Sequence, residues 1–428
     1  MSKNKHSGNS LLDFLSEEQR KALLSASTHK QKMDEKASNK IVLVDTPEKL
    51  KACEEQLAAY QQIAVDLEFD DNRFTYGRNI CLIQIQGGST SWIIDTIKIP
   101  HPACILKVFE NNQVRKIFNS CSSDIGLLQD IYKCYPKNIE DTSLMYKFLL
   151  ESEATPSLAK LLQEKIGVVL TKDEQTSDWN KRPLTLSQIQ YAANDVIYLE
   201  DLYNKLKEEL IAVGRWEWYE QERKELENTV FLPSDFLERH IHKYKVIGKA
   251  AFLYRQYWKI VDDFAQQINL PHYKVVSTQF LTDLAKNPPT SLEEWRKVKG
   301  FHPKLKTDNW LSRFYETTAD VEKNYKKLEE ERAVLRYLTQ QLEKISEAFV
   351  VTFDKKLRNE FYELIKQKLL EKKGEMLQNI ILSTKAKDEI ILSGFSSLTL
   401  WKQEMIKKVC QEENIEEEPI WHSLMYHF

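Results

Sequence analysis

The protein has 428 residues, which at roughly 150 residues per domain predicts about three domains rather than one. Only 11 of them are glycine, about a third of the usual share, which disfavours a turn-rich all-β protein, and no Gly-x-x-x-x-Gly-Lys-Ser/Thr loop of an ATP-driven motor occurs. The 61 basic and 64 acidic side chains nearly cancel, so the net charge of −3 excludes neither a nucleic acid nor a metal ion as a partner.

Residues 1–40 are polar apart from a short amphipathic patch, which predicts a weakly ordered N-terminal arm of undetermined role. The arm has no signal-peptide pattern, and no apolar run in the chain approaches about 18 residues. The six cysteines show no Cys-x-x-Cys spacing, which disfavours a disulfide framework and a structural zinc site. We therefore expect a cytoplasmic protein with reduced thiols and no membrane among its partners.

The next region, residues 41–215, predicts an α/β domain in which strands come first and helices follow. Four short runs rich in β-branched residues each predict a strand. A helix is predicted between the first two runs, because apolar side chains recur there at helical spacing after Thr46. From about residue 122 the pattern becomes helical. The predicted strands are residues 41–44, 63–69, 81–86 and 91–96.

Two carboxylates interrupt the second predicted strand. Asp66 and Glu68 are two residues apart, and the strand period of two places both side chains on the same face. Carboxylates that are buried together repel each other and resist desolvation unless a cation neutralises them, which predicts a metal site. The alternative is a strand that emerges at a solvent edge, where both side chains only face water.

Two further acidic residues lie in predicted helices. Asp124 opens an amphipathic helix, where it could bind a metal ion or only complement the helix dipole. Asp195 follows Tyr191 by four residues on one helix face, so the two could hydrogen-bond each other or hold a water against a metal ion. Together with the strand pair, these residues fit two divalent ions about 4 Å apart that clamp a phosphodiester. Oxygen-only ligands favour Mg²⁺ or Mn²⁺ over zinc.

These motifs resemble those of the ribonuclease D family, which belongs to the DEDD 3′-5′ exonucleases. The strand AVDLEF at 64–69 resembles the first exonuclease motif, KIFNSCSSDIGLL at 116–128 the second, and YAAND at 191–195 the third, in its tyrosine-containing form. The most family-specific stretch is EQTSDWNKRPLTLSQIQYAAND at 174–195. The resemblance covers roughly residues 41–210 and implies an RNase H-like α/β exonuclease domain.

The resemblance also implies a role for each residue of the site. Asp66, Glu68 and Asp195 would bind the ion that holds the attacking water, and Asp66 with Asp124 would bind a second ion near the leaving oxygen. Tyr191 would orient or deprotonate that water. The implied cofactors are two divalent ions, Mg²⁺ or Mn²⁺, and the implied products are nucleoside 5′-monophosphates released from a 3′ end.

Other side chains near these motifs are candidates for binding the substrate. Phe69 could stack on the terminal base or pack in the core, and Arg73 follows in the same segment. Arg182 could bind a phosphate, and Trp179 could line the entrance or only pack the loop. Asn119 stands where the family often has histidine, a departure that concerns the details of the substrate rather than the metal site.

The rest of the chain predicts only helices. Residues 216–239 predict a linker, and residues 240–316 resemble an HRDC domain, the small helical nucleic-acid-binding module of ribonuclease D and RecQ-type helicases. Residues 317–428 predict a helical domain that resembles a degenerate second copy. The stretches that carry these resemblances are AAFLYRQYWKIVDDFAQQINLP at 250–271, EEWRKVKGF at 293–301 and MLQNIILSTKAKDEIILSGF at 376–395.

The predicted HRDC region is the basic part of the chain. Residues 240–316 carry 13 basic and 7 acidic side chains, whereas residues 41–210 carry 18 basic and 25 acidic ones. Arg296, Lys297 and Lys299 lie close together in a candidate phosphate-contacting loop, unless they only form a solvated face.

The sequence therefore predicts a metal-dependent 3′-5′ exoribonuclease that trims the 3′ ends of tRNA precursors or other structured RNAs. Its partner would be a single-stranded RNA 3′ end, with DNA as an open alternative and protein partners undetermined. One alternative function is a 3′-5′ DNA exonuclease of the proofreading or repair type, because nothing in the sequence detects a 2′-hydroxyl. The other is a catalytically silent RNA-binding protein, against which the four filled acidic positions argue.

Overall fold

The computed structural model describes residues 39–150, 156–170, 174–231, 236–349, 355–382, 387, 390 and 398–413. Nearly all of the predicted N-terminal arm, and the chain beyond residue 413, lie outside the described residues, as does part of the stretch at 376–395. Within the described part, no helix combines the length and the apolar character that crossing a bilayer requires.

A six-stranded mixed sheet forms the centre of the first domain. Its strands are β1 (Lys40–Val44), β2 (Gln62–Asp71), β3 (Arg78–Gly87), β4 (Thr90–Asp95), β5 (Arg115–Phe118) and β6 (Ile139–Asp141). They lie in the order β1-β4-β3-β2-β5-β6, with β2, β3 and β4 antiparallel and the other pairs parallel. The four predicted strands are confirmed. The sequence does not predict β5 and β6, because runs of four and three residues are too short to show a strand period.

Helices cover both faces of this sheet. The helices are α1 (Pro47–Leu57), α2 (Ala103–Glu110), α3 (Ser122–Tyr132), α4 (Thr142–Leu150), α5 (Leu158–Ile166), α6 (Leu186–Ile197), α7 (Leu199–Ala212) and α8 (Trp216–Asn228). Val65 and Leu67 of β2 pack in a core with side chains of α1, α2 and α3. On the opposite face, Leu82 and Ile93 pack against Ala192 of α6. Because side chains alternate along a strand, Asp66 and Glu68, which alternate with Val65 and Leu67, point towards α6.

The region that the sequence predicts as a linker, residues 216–239, contains the folded helix α8. Tyr219 of this helix is fully buried, and its hydroxyl donates to Glu140 Oε2 at 2.6 Å. The ring of Trp218 stacks at 5.1 Å on Trp401, from the far end of the chain. The linker prediction is therefore corrected over α8, whose aromatic first turn binds it to the exonuclease domain. The other domain boundaries stay predictions.

The described residues beyond 231 form helices and the loops between them, as predicted. The helices are α9 (Phe236–Lys243), α10 (Gly248–Gln267), α11 (His272–Val275), α12 (Thr278–Lys286), α13 (Leu292–Lys297), α14 (Asp308–Phe349), α15 (Lys355–Ile381) and α16 (Leu400–Glu412). The helices α9 to α13 and the start of α14 share one core and form a helical module. In that core the rings of Tyr257, Trp295 and Phe314 contact one another. The long helix α14 begins in this module and continues into the following region.

The turn between β2 and β3 contacts the helical module. Tyr76 donates from its hydroxyl to Asp262 Oδ1 at 3.0 Å, and the hydroxyl of Tyr273 donates to the carbonyl oxygen of Arg73 at 2.7 Å. The ring of Tyr76 also lies 5.5 Å from that of His272. These contacts join the module to the end of the strand that carries Asp66 and Glu68.

Candidate active site

Three of the four predicted carboxylates form one group. Asp66 and Glu68 project from β2, and Asp195 projects from α6, which packs across that face of the sheet. One carboxylate oxygen from each of the three lies within 4.8 Å of the others. Asp124, in the first turn of α3, is buried and interacts electrostatically with Asp66 and Glu68. The structure therefore brings together all four residues that the sequence singles out.

Burial and mutual repulsion raise the pKa of these carboxyl groups. Burial raises the pKa of Asp66 well above its ordinary value, and the charges of Asp195, Asp124 and Glu68 raise it further. Burial also raises the pKa of Glu68, and the charges of Asp195 and Asp124 add to the effect. Burial raises the pKa of Asp124 and that of Asp195 to about 7. The group therefore retains protons near neutral pH unless cations replace them.

The donor set fits a hard divalent cation. The candidate ligand atoms of Asp66, Glu68 and Asp195 are all carboxylate oxygens, and they lie within the reach of a single ion. Mg²⁺ and Mn²⁺ prefer oxygen ligands of this kind, whereas structural zinc sites use sulfur and nitrogen. The structure does not support the solvent-edge alternative for Asp66 and Glu68, because β2 lies between β3 and β5 in the interior of the sheet and both side chains are half-buried.

Hydrogen bonds fix the start of α6, the helix that carries Tyr191 and Asp195. Thr185 Oγ1 accepts from the backbone N–H of Gln188 at 3.1 Å, and Gln188 Oε1 accepts from that of Thr185 at 3.0 Å, which forms a reciprocal capping box. Gln188 Nε2 also donates to Ser177 Oγ at 2.7 Å. This cap positions Tyr191 and Asp195, one helical turn apart, over the strand pair.

Tyr191 lies beside the carboxylates. Burial raises the pKa of its phenol, and the charges of Asp195, Glu68 and Asp66 raise it further. Its ring centroid is 6.0 Å from that of Trp179. In the metal-free protein this phenol stays protonated and can donate a hydrogen bond. The choice between orienting and deprotonating a water stays a prediction.

The guanidinium of Arg182 is fully used within the protein. It forms two hydrogen bonds to the carboxylate of Asp95, at 2.6 and 2.8 Å. It also donates to the carbonyl oxygens of Trp179 and Lys181, both at 2.7 Å, and to that of Cys81 at 3.1 Å. These bonds employ all five N–H donors of an arginine, so none is left for a phosphate. The prediction that Arg182 binds a phosphate is thereby corrected: it anchors the loop that leads into α6.

The other predicted substrate contacts near the site have different surroundings. Phe69 packs against the core formed with α1, α2 and α3, on the face away from the carboxylates, which favours the packing alternative. Trp179 is only 3% exposed, so it packs the loop rather than lining an entrance. Arg73 is exposed, with its guanidinium carbon 4.8 Å from the ring centroid of Phe74. A substrate contact by Arg73 stays a prediction.

The candidate phosphate-contacting loop lies at the end of α13. Arg296 forms two hydrogen bonds to Asp308, at 3.0 and 2.9 Å, and one to Glu293 at 2.8 Å. Two carboxylates therefore offset its charge. Lys297 and Lys299 are exposed in the same loop. Binding of a nucleic acid by these three residues stays a prediction.

Asp141 is a residue of the site that the sequence reasoning missed. Its carboxylate accepts hydrogen bonds from the backbone N–H groups of Ser120 at 2.9 Å, Cys121 at 3.0 Å and Ser143 at 2.8 Å. These bonds fix the turn that leads into α3, and so they position Asp124. An aspartate directly before the start of a helix is a recognisable capping signal, and it was available in the sequence.

The raised pKa values predict how the stability of the metal-free protein depends on pH. The folded state retains protons on Asp124 and Asp195 up to about pH 7, whereas the ordinary pKa of an aspartate is 3.8. Folding is therefore favoured at low pH, and the free energy of unfolding falls as the pH rises from about 4 to about 7. Thermal melting without metal should show this decline, and Mn²⁺ should offset it.

In the Asp66→Asn, Asp195→Asn double variant, both the decline with pH and the stabilisation by Mn²⁺ should shrink, whereas the exposed Asp71→Asn control should behave as the wild type. An equal response of the double variant to Mn²⁺ would contradict the metal site.

The contacts of Arg182 predict a structural phenotype. An Arg182→Met variant leaves the carboxylate of Asp95, which is 1% exposed, without its charged partner, so that only the backbone N–H groups of Ile97 and Lys98 still donate to it among the described residues. We expect the free energy of unfolding to fall by about 3–5 kcal/mol, the usual cost of removing one member of a buried ion pair. The slope of RNA affinity against salt concentration should stay unchanged, because no phosphate contact is removed. Exposed Arg73→Met is the matched control, with an expected loss of stability of about 0.5 kcal/mol or less. A shallower salt slope in the Arg182 variant would restore the phosphate-binding role.

Comparisons with known proteins agree with an exonuclease domain followed by a helical HRDC domain. A family model described as a 3′-5′ exonuclease matches residues 41–211, and the model of the HRDC domain matches residues 252–309. Ribonuclease D of Sphingobium indicum is 30% identical over 264 residues, which cover 59% of this chain and 66% of that protein. The exosome complex component 10 homolog of Caenorhabditis elegans is 32% identical over 233 residues, which cover 54% of this chain and 25% of that protein. The chain thus spans just under two thirds of the first relative and a quarter of the second.

The fold has a counterpart among solved structures. Escherichia coli RNase D, described as an exoribonuclease involved in structured RNA processing, superposes with a TM-score of 0.59 at 19% identity. The superposition covers 87% of this chain and 99% of that one, so the likeness of fold extends beyond the exonuclease domain. The predicted fold class is confirmed. Residues 41–211 belong to the 3′-5′ exonuclease family and residues 252–309 form an HRDC domain, the two units that the resemblance to ribonuclease D implies.

Proposed function

We propose that the protein is a metal-dependent 3′-5′ exoribonuclease. The observation that carries this proposal is the half-buried group of Asp66, Glu68 and Asp195, whose carboxylate oxygens lie within 4.8 Å of one another. A protein does not gather like charges beneath a helix for stability, because each ionised group raises the cost of the next. The match to the exonuclease family over residues 41–211 supports the same conclusion.

Each residue of the site has a defined part in this proposal. Asp66, Glu68 and Asp195 would hold one divalent ion, and Asp66 with Asp124 would hold a second. When bound, Mg²⁺ or Mn²⁺ would supply Lewis acidity at the phosphodiester and lower the pKa of a water. Tyr191 would direct its hydroxyl to the attacking water and orient it for in-line displacement.

RNA is the proposed substrate. Two relatives are named ribonuclease D and an exosome complex component, and each matches more than half of this chain. The HRDC domain supplies basic side chains such as Lys297 and Lys299 that are suited to a polyanion. We propose single-stranded 3′ ends of structured RNAs, tRNA precursors among them, as the natural substrates, and the cytoplasm as the location.

End-labelled oligonucleotides test the proposal directly. With Mn²⁺ or Mg²⁺, the protein should shorten 5′-labelled single-stranded RNA from its 3′ end and release nucleoside 5′-monophosphates. Addition of a chelator should stop the reaction, and the Asp66→Asn, Asp195→Asn double variant should be inactive under all conditions. Faster digestion of matched DNA would replace the proposal with a DNA exonuclease. Binding of RNA without degradation would identify a catalytically silent RNA-binding protein.

A Tyr191→Phe variant tests the orienting role. Removal of the hydroxyl leaves the ring packed beside Trp179 but takes away the hydrogen bond to the attacking water. We expect kcat to fall by about 100-fold, with KM changed less than about twofold, because the bond acts on the chemical step. Tyr135→Phe, at a surface tyrosine that is 43% exposed, is the control and should retain wild-type kinetics. An equal rise in KM would instead place Tyr191 in substrate binding.

A further inference from the structure

Gln84 lies beside the carboxylate group in the middle of the sheet. β3 pairs antiparallel with β2, and Gln84 is the direct cross-strand partner of Asp66. Residues that face each other across an antiparallel pair point to the same side, with Cβ atoms about 4.5–5.5 Å apart. The side chain of Gln84 therefore emerges next to that of Asp66, on the face covered by α6.

The amide of Gln84 is buried without a hydrogen-bond partner. The residue is 0% exposed, and neither Nε2 nor Oε1 forms a hydrogen bond within the described part of the chain. A buried amide that lacks partners is costly, and an apolar side chain of similar shape would avoid that cost. Gln84 is therefore unfavourable for the stability of the metal-free fold, which indicates a use for it in another state of the site.

A second glutamine on the same strand provides the comparison. Gln86 is two residues further along β3, on the same face, and is 3% exposed. Its Nε2 donates to Asn39 Oδ1 at 2.8 Å and to the carbonyl oxygen of Gly88 at 2.7 Å, and its Oε1 accepts from Ser91. This fold can thus satisfy a buried glutamine on β3. Of these two glutamines on β3, Gln84 is the one that lacks partners, and it is also the one that pairs with Asp66.

The carboxylate of Asp66 has a backbone hydrogen bond at Leu67, and Gln84 can supply a further donor from its side chain. Ionised carboxylates are acceptors only, so Glu68 and Asp195 cannot donate to Asp66 when all three bind cations. An ion occupies only part of the acceptor capacity of a carboxylate, and carboxylates that bind metal are usually held by further hydrogen bonds. The amide N–H₂ of Gln84 offers two donors at the neighbouring position.

We propose that Gln84 is a positioning residue, whose Nε2 donates a hydrogen bond to the carboxylate of Asp66 when the site binds a divalent ion. The bond orients Asp66, which the proposed function places on both ions, so this inference rests on that function. Loss of an outer hydrogen bond of this kind typically weakens metal binding by about 10- to 100-fold. The buried amide thus destabilises the metal-free protein and strengthens its binding of metal.

Two matched variants test the inference, Gln84→Met and Gln86→Met, each of which replaces a buried glutamine with an apolar side chain of similar length. Thermal melting is measured without metal, and Mn²⁺ affinity is measured by calorimetry at one fixed pH above 7. Gln84→Met should melt at or above the wild-type temperature, because two unsatisfied polar atoms are removed, and should bind Mn²⁺ at least about tenfold more weakly. Gln86→Met should melt several degrees lower, because its partners lose their bonds, and should bind Mn²⁺ as the wild type does.

The outcomes separate this inference from the proposed function. If Gln84→Met melts below the wild type or fails to fold, or if it binds Mn²⁺ with wild-type affinity, Gln84 is not a positioning residue. If the wild type itself binds no Mn²⁺, or binds it and degrades no RNA, the proposed function fails independently of Gln84. A fall in kcat of the Gln84 variant at limiting Mn²⁺ that saturating Mn²⁺ reverses would add support, because a general packing defect would not respond to metal.

Discussion

Repulsion among buried carboxylates is the constraint on which the rest of the site depends. Asp66, Glu68 and Asp195 are packed between the sheet and α6, with Asp124 close by, and burial raises the pKa of each carboxyl group. Such a group is stable only when protons or cations neutralise it, and divalent cations do so with several ligands at once. The same repulsion that weakens the metal-free fold therefore provides the affinity for metal.

The carboxylates come from distant parts of the chain, so other polar contacts must hold them in place. Asp95 binds Arg182 and thereby anchors the loop before α6 to the sheet. Asp70 accepts from Asn180 Nδ2 at 2.9 Å and ties the same loop to the end of β2. Asp141 fixes the turn before α3. These three aspartates each accept hydrogen bonds from side-chain or backbone donors and so act as scaffold, whereas the four carboxylates of the candidate metal site repel one another.

The sequence predicts the ligands better than it predicts their surroundings. Asp66 and Glu68 are recognisable because the strand period places two charges on one buried face, a pattern that local spacing alone reveals. The role of Arg182 is not predictable in this way, since its partner Asp95 is 87 residues away and only the fold brings the two together. Gln84 shows the same limit, because its position opposite Asp66 follows from the register of β2 and β3. Short elements such as β6 and the helix within the predicted linker are fixed by tertiary packing rather than by their own pattern.

Strand β2 also connects the carboxylates with the helical module. The strand runs from the metal-binding residues to the turn at Tyr76, which hydrogen-bonds to Asp262 of α10. The pairing of β2 with β3 shifts between Glu68 and Phe69, and such an irregularity turns a strand and re-aims the side chains around it. Strand β2 thus carries Asp66 and Glu68 on the face covered by α6 and places Phe69 in the core on the opposite face. The turn that follows it contacts the HRDC domain. Because the turn after β2 hydrogen-bonds to the HRDC domain through Tyr76 and Arg73, a shift of that domain would move the end of β2. That end, Asp71, is three residues from Glu68.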